Sequence, residues 1–249
     1  LPPASRTTEW EVPYGPVIAM NGWYGLMKQR HMFEYGTTQE QFAKVVVDQR
    51  FNAAKNVNSV WYDQPVTVDD VLNSRYTNEP LHLLESVMPC SGAHAVIVTS
   101  AERARALPNP PVYILGVGGP ATHHDIIYTD DDITTTPVVD SAPTALQMAQ
   151  VNARDIQMAQ FYDCYTILAM ACLEDAGIVQ KGEIGPFYES TDTTYKGAFP
   201  VNTDGGQIGA GQTGGTGGGF RHVVEAARQI MGRAGERQVK EADLCLVNG

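Results

Sequence analysis

Apolar residues recur at helical spacing from Met20 to Tyr35 and again at Phe42, Val45, Val46 and Phe51. The intervening Gly36-Thr37-Thr38-Gln39-Glu40 predicts a helix stop followed by a restart, with Thr37 and Glu40 as a capping box. Residues 56–64 read as loop, and Thr67-Val68-Asp69-Asp70 opens a short helix through Val71 and Leu72. From Pro80 the pattern changes. Ala93, Ala95, Val96, Ile97 and Val98 form a continuous apolar run, as do residues 112–117, and each predicts a strand buried on both faces. With the short helix 101–107 between them they predict a βαβ unit. Residues 146–156 read as helix and 157–161 as strand. Ile167, Leu168, Met170, Ala171 and Leu173 then predict a buried helix ending before Gly177, and residues 242–247 a last apolar piece. Alternating strands and helices over 80–249 give an α/β layered class.

The stretch from Phe199 to Arg237 organises the rest. Nine of the fifteen residues Gly205–Gly219 are glycine, and Phe220, Val223, Val224, Ala227 and Ile230 follow as the apolar face of a helix. Such a loop allows close backbone approach to a ligand, and the helix start would favour an anion or developing oxyanion; a flexible linker has the same composition. Gly209, Gly211 and Gly214 match a dinucleotide fingerprint, but Pro200, Asn202, Thr203 and Asp204 before them read as turn where a buried strand is required. No Gly-Lys-Ser/Thr follows, which excludes a Walker loop. Tyr162, Asp163 and Cys164 fall at a strand-to-helix junction, where α/β sheets present catalytic groups. The alternatives are a half-buried aromatic and an inert core thiol.

Composition narrows the classes. The chain has 249 residues, enough for one large or two small domains. Its net charge of −11 argues against nucleic acid or an anionic membrane as the main partner. No stretch reaches the ~18 apolar residues of a membrane span. The first residues do not read as a signal peptide, and Leu1 in place of Met reads as a processed or truncated chain. Cys90, Cys164, Cys172 and Cys245 form no C-x-x-C pair, so a reducing, cytoplasmic setting is expected. His123 and His124 beside Asp125 lack the spacing of a metal-binding helix, and a solvated loop without metal is expected there.

The segments HMFEYGTTQEQFAKV, SGAHAVIVTSAERARAL, FYDCYTILAMACLEDAGI, KGEIGPFYE and FPVNTDGGQIGAG with HVVEAARQIMGRAGERQV resemble the thiolase superfamily, in its lipid-transfer or sterol-carrier-protein-x branch. The resemblance implies a thiolase-like αβαβα layered α/β fold, here without the start of the first core domain and the extreme C-terminus. Residues 1–79 would be a loop domain covering coenzyme A, 80–107 the end of the first core domain and 108–249 the second. It also implies a homodimer and a coenzyme A thioester as substrate, with no covalently bound cofactor. The glycine loop, through Gly205, Gly206, Gly211, Gly214 and Gly215, would form the oxyanion and coenzyme A site.

Two departures bear on the chemistry. The nucleophilic cysteine of a thiolase belongs to a region outside this sequence, and the histidine of its Gly-His-Pro motif is replaced in Gly211-Gln212-Thr213. Glutamine cannot take a proton from a thiol. The branch's His-Asp-Cys-Phe stands here as Tyr162-Asp163-Cys164-Tyr165. Relatives with similar motifs include aldolases that cleave 3-hydroxyacyl-CoA side chains in steroid breakdown beside a small OB-fold partner. The resemblance therefore implies retro-aldol cleavage, with Tyr162 moving a proton if its phenol is lowered from about 10 or works through water, and Gln212 helping to hold the thioester oxygen. A thiolase-type acyltransferase and a non-catalytic acyl-CoA-binding or lipid-binding subunit are the alternatives.

Overall fold

The computed structural model describes residues 20–119, 132–214 and 217–249. Helix α1 (Asn21–Tyr35) ends at Gly36, whose φ of 73° closes it in the left-handed region. Helix α2 (Gln39–Ala53) starts one residue later than its sequence cap suggests. Thr38 and Gln41, not Thr37 and Glu40, form the capping box, while Thr37 Oγ1 bonds His31 Nδ1 at 2.9 Å. Helix α3 (Val68–Leu72) is capped by Thr67 and Asp70 as its sequence suggests. Strands β1 (Tyr76–Asn78) and β2 (Leu81–His82) pair antiparallel.

Strand β3 (Pro89–Cys90) precedes the largest departure from the sequence pattern. Residues 93–98 and 112–117 belong to no strand; Ile97 is 93% exposed and Ile114 75%. A buried strand needs a neighbour on each edge to satisfy its backbone, and none of the described residues supplies one here. Only the helix between them forms as expected, as α4 (Ala101–Arg105). Residues 116–118 instead run along α5 (Val138–Ala149), close enough that a Cβ at Gly116 or Gly118 would collide with Ala145 O or Ser141 O. Helix α5 also corrects the expected 146–156 helix: it starts eight residues earlier, carries Pro143 inside it, and is followed by a separate turn at Ala153–Asp155. The pair His123 and His124, with Asp125, lies outside the described residues.

The core forms around α6 (Thr166–Asp175). Every residue from Thr166 to Glu174 is buried, as expected of a helix apolar nearly all round. Phe42, Val45, Leu81, Ala142, Phe161 and Tyr188 pack in the same cluster, so packing runs unbroken from α1 and α2 to α6. Buried charges fix how these helices meet. Lys28 Nζ lies 2.7 Å from Glu85, with both side chains at or below 1% exposure, and Glu85 also accepts from Thr166 Oγ1 at 2.9 Å. His31 Nε2 lies 3.2 Å from Glu174. Pairs this deep return little net stability, but an arrangement that leaves one partner alone is strongly disfavoured.

Strand β4 (Met158–Gln160), helix α7 (Ile184–Ser190), helix α8 (Gly206–Ala210), strand β5 (Gln212–Thr213), helix α9 (Gly217–Ile230) and strand β6 (Cys245–Val247) complete the described chain. Strands β3 and β5 pair parallel, as do β4 and β6. Helix α8 lies directly on α2. A Cβ at Gly205 would stand 2.5 Å from Ala53 Cβ and one at Gly209 2.7 Å from Gln49 O, so glycine here permits close packing.

Candidate functional site

The strand-to-helix junction after β4 is held by two asparagines. Phe161 N donates to Asn202 Oδ1 at 2.7 Å and Tyr162 N to Asn248 Oδ1 at 2.6 Å. Tyr162 is thereby turned toward the glycine loop, where Gln212 Nε2 donates to its hydroxyl at 3.3 Å. Burial, then the neighbouring Cys164 and Asp163, push the Tyr162 phenol up to about 12. The lowering that would make it a ready base is absent, and the group is a proton donor at neutral pH. A cavity of about 640 Å³ adjoins it, lined by Tyr24, Val138, Phe161, Tyr162, Leu168 and Val247. That size and apolar lining suit a bulky acyl group.

Asp163 and Cys164 are both buried in the interior. Asp163 is fully buried and accepts from the N–H of Gln207 at 2.9 Å and of Ile208 at 3.3 Å. A carboxylate at the first turn of α8 suits the positive end of that helix. Cys164 is buried beside Tyr24, and burial pushes its thiol up to about 12, as it does that of Cys172. Neither is a nucleophile at neutral pH, because the thiolate is the reactive form.

The glycine loop is more folded than its composition suggests. Gly205 N donates to Asn202 O, Gly206 N to Asp204 Oδ1, Gly211 N to Gln207 O and Gln212 N to Met88 O, at 2.8–3.1 Å. These donors are spent within the protein and hold the loop together. Gly211, at φ 102°, packs against Cys90 and Val60. Gly214 is exposed with open space around it, and Gly215 lies outside the described residues. The helix that follows keeps only part of its expected apolar face: Val224 is buried and Ile230 packs on the Met158 cluster, but Phe220 and Val223 are 38% and 39% exposed, while His222, Glu225 and Gln229 are buried. This inward polar stripe meets a hydrogen-bonded interior. Thr203 Oγ1 donates to Glu225 at 2.8 Å, and Gln229 Nε2 donates to Thr203 Oγ1 at 3.0 Å. Arg221 binds Asp204 at 2.6 Å and also donates to Gly211 O. Burial alone would push the Asp204 carboxyl up, but Arg221 and Arg237 outweigh it and hold it well below the usual carboxylate range.

His222 is the residue that reading for apolar periodicity misses. Its Nε2 lies 3.2 Å from Asp163 Oδ1, both side chains are fully buried, and its ring meets that of Tyr162 edge-on at 6.5 Å. Its Nδ1, like Gln207 Oε1, has no hydrogen-bond partner. The available signal was the spacing of His222, Glu225 and Gln229, which repeats like a helix face made of polar residues. The Asp163–His222 pair thus lies next to Tyr162 in the chain and against its ring. Among the described residues, no three His, Cys, Asp or Glu side chains gather as a metal site, and no helix is long and apolar enough to cross a membrane.

Residues 119–249 match the family described as thiolase C-terminal domain-like. The chain is 36% identical over 237 residues to an acetyl-CoA acetyltransferase of Methanothermobacter thermautotrophicus, covering 95% of this chain and 61% of the relative. It is 35% identical over 232 residues to a steroid side-chain-cleaving aldolase of Thermomonospora curvata, covering 92% and 58%. The solved Ltp2-ChsH2(DUF35) aldolase superposes with a TM-score of 0.85 at 30% identity, over 97% of this chain and 63% of that one. The chain thus spans about three fifths of the length of these relatives. With over half of its residues matched to the family and an α/β fold shared with these neighbours, the chain belongs to the thiolase superfamily, and its relatives include both thiolases and side-chain-cleaving aldolases.

Proposed function

We propose that the chain serves retro-aldol cleavage of a 3-hydroxyacyl-CoA, in the cytoplasm and as part of a dimer joined by a small partner subunit. The observation that carries this is the Tyr162–Gln212 contact, in which a protonated phenol and a neutral amide stand where thiolysis would need a histidine base. In the cleavage the β-hydroxyl loses its proton to solvent or a second group, the Cα–Cβ bond breaks, and a ketone or aldehyde departs. The bonding pair moves onto the thioester as an enolate. Gln212 Nε2 donates to the enolate oxygen, and Tyr162 delivers the proton that completes the new acyl-CoA at Cα, a role suited to its raised phenol. The glycine loop then acts mainly as a scaffold, with Gly214 as its described part nearest the coenzyme A. Residues 1–79 cover the ligand, and 80–107 and 108–249 belong to two core domains. The name of the Thermomonospora relative supports this reading.

Tyr162→Phe in the full-length protein tests it. Cleavage of a 3-hydroxyacyl-CoA is expected to fall by about 10²–10⁴-fold in kcat, with acyl-CoA binding retained. Unchanged cleavage would remove Tyr162 from the chemistry. The acetyltransferase relative favours a second reading, thiolytic transfer on a 3-ketoacyl-CoA. Turnover that needs free coenzyme A and a 3-keto substrate would select it.

A further inference from the structure

Retro-aldol cleavage releases a proton from the β-hydroxyl, and the Tyr162–Gln212 contact offers nothing to receive it. Tyr162 keeps its own proton at neutral pH, with its phenol pushed up to about 12, and Gln212 is an amide without basicity. Asp163 already accepts two backbone N–H groups, and the Cys164 thiol is also pushed up to about 12. Among the described residues beside Tyr162, one ring nitrogen is free. His222 Nδ1 is buried with no hydrogen-bond partner, on a ring whose centre lies 6.5 Å from that of Tyr162.

The neighbours of His222 decide which nitrogen carries its proton. A carboxylate only accepts, so the Asp163 contact at 3.2 Å places the proton on Nε2, and the donor Gln207 Nε2 stands off that nitrogen at 3.4 Å. A second proton on Nδ1 would be a buried donor without an acceptor. The neutral ring therefore presents a bare nitrogen, with a carboxylate behind it to steady the positive charge that forms when Nδ1 takes a proton.

Helix α9 brings that nitrogen to the site. Side chains on a helix lean toward its N-terminus, so His222 lies over Gly218, one turn back on the same face. A Cβ at Gly218 would stand 2.8 Å from Gln207 Oε1 and 3.3 Å from Gln212 Nε2, and one at Gly219 3.5 Å from Tyr162 Cδ2. Glycine at both positions leaves room where these polar ends converge. Gln207 Oε1 is a second fully buried acceptor without a partner. One water answers both acceptors, donating to His222 Nδ1 and to Gln207 Oε1, and its oxygen remains to accept the substrate's β-hydroxyl; buried waters ordinarily make about three such bonds. We propose that His222, through this water, takes the β-hydroxyl proton during cleavage, and that Asp163 holds the ring in the tautomer that can do so. The β-hydroxyl gives its proton to the water as the water gives one to Nδ1, the carbonyl forms and the Cα–Cβ bond breaks. Tyr162 protonates Cα and recovers its proton from His222 once the carbonyl product has left. No proton is gained or lost over the cycle. His222 is thus a positioning residue that acts through the water, and its role rests on the retro-aldol reading above.

The test uses the full-length protein and its His222→Gln and His222→Asn variants. A glutamine amide reaches the place of Nε2 and keeps a donor for Asp163, an asparagine amide does not, and neither is a base. Single-turnover cleavage of a 3-hydroxyacyl-CoA, KM and urea unfolding are measured for each. The cleavage rate is expected to fall by about 10²–10⁴-fold in both variants with KM unchanged, while only the asparagine variant unfolds at lower urea. In the parent, single-turnover rates in mixtures of H2O and D2O should follow a curve, because two protons move together; a straight line would overturn the relay. A parent-like rate in His222→Gln with loss in His222→Asn would also overturn it, since His222 would then serve only to hold Asp163. His94 Nε2 is likewise buried without a partner, and loss of cleavage in His94→Gln but not in His222→Gln would move the base to His94. Each of these results leaves the retro-aldol reading standing as long as the parent cleaves and Tyr162→Phe does not. A parent that turns over only a 3-keto substrate with free coenzyme A would refute that reading, and the relay with it.

Discussion

Replacing Asp163 by alanine removes the acceptor that ties the junction after β4 to the start of α8. The carboxylate is fully buried and takes the N–H of Gln207 at 2.9 Å, the N–H of Ile208 at 3.3 Å and His222 Nε2 at 3.2 Å. Each buried donor left without an acceptor costs about 1–3 kcal/mol, and Gln207 N, Ile208 N and the His222 ring all lose theirs. These losses overlap, so the expected cost of Asp163→Ala is about 3–5 kcal/mol. Asp163→Asn keeps one acceptor oxygen for Gln207 and should lose less, about 1–3 kcal/mol. In a chain of this length each kcal/mol moves the midpoint by roughly 2–4 °C, so the alanine variant should melt roughly 6–20 °C lower. Urea unfolding of the full-length protein, read by circular dichroism, measures both. An alanine variant within about 0.5 kcal/mol of the parent would refute the argument, since that is the size of an ordinary surface substitution. A loss equal in the two variants would show that charge matters and the acceptor geometry does not.

Two further outcomes follow from the same interior. The Asp204 carboxyl is held below its ordinary value in the folded chain, so the unfolded chain binds protons first on acidification. The stability contributed by the Asp204–Arg221 pair is therefore present at neutral pH and is lost progressively below the ordinary carboxylate range, and Asp204→Asn should flatten that acid limb of the stability profile. Iodoacetamide labelling of the native protein at neutral pH should leave Cys164 and Cys172 unmodified, because both are buried with thiols pushed up to about 12, while the half-buried Cys90 labels first. Mass spectrometry of the digested protein reads this, and rapid labelling of Cys164 would contradict the packing around Tyr24.

The chain's local chemistry fixed much of what forms. Gly36 ends α1, Thr67 and Asp70 start α3, and the apolar run from Ile167 to Leu173 becomes the buried helix α6, because capping bonds and apolar periodicity act within a few residues. The same reach placed Tyr162 at a strand-to-helix junction and the glycine run beside a helix. What the sequence could not decide was which faces turn inward. Residues 93–98 and 112–117 look like buried strands, yet burial needs neighbours distant in sequence, and without them the runs stay exposed. On α9 the apolar Phe220 and Val223 turn outward, while His222, Glu225 and Gln229 turn in toward Asp163 and Thr203, which come from far along the chain. The N–H groups at the start of the glycine loop likewise look free in sequence, but local turn bonds to Asn202 and Asp204 and a long-range acceptor, Asp163, take them up. Residue type and local periodicity thus determined the elements and the Tyr162 candidate. Only long-range hydrogen bonding decided that Asp163 meets His222 and that Gln212 meets Tyr162.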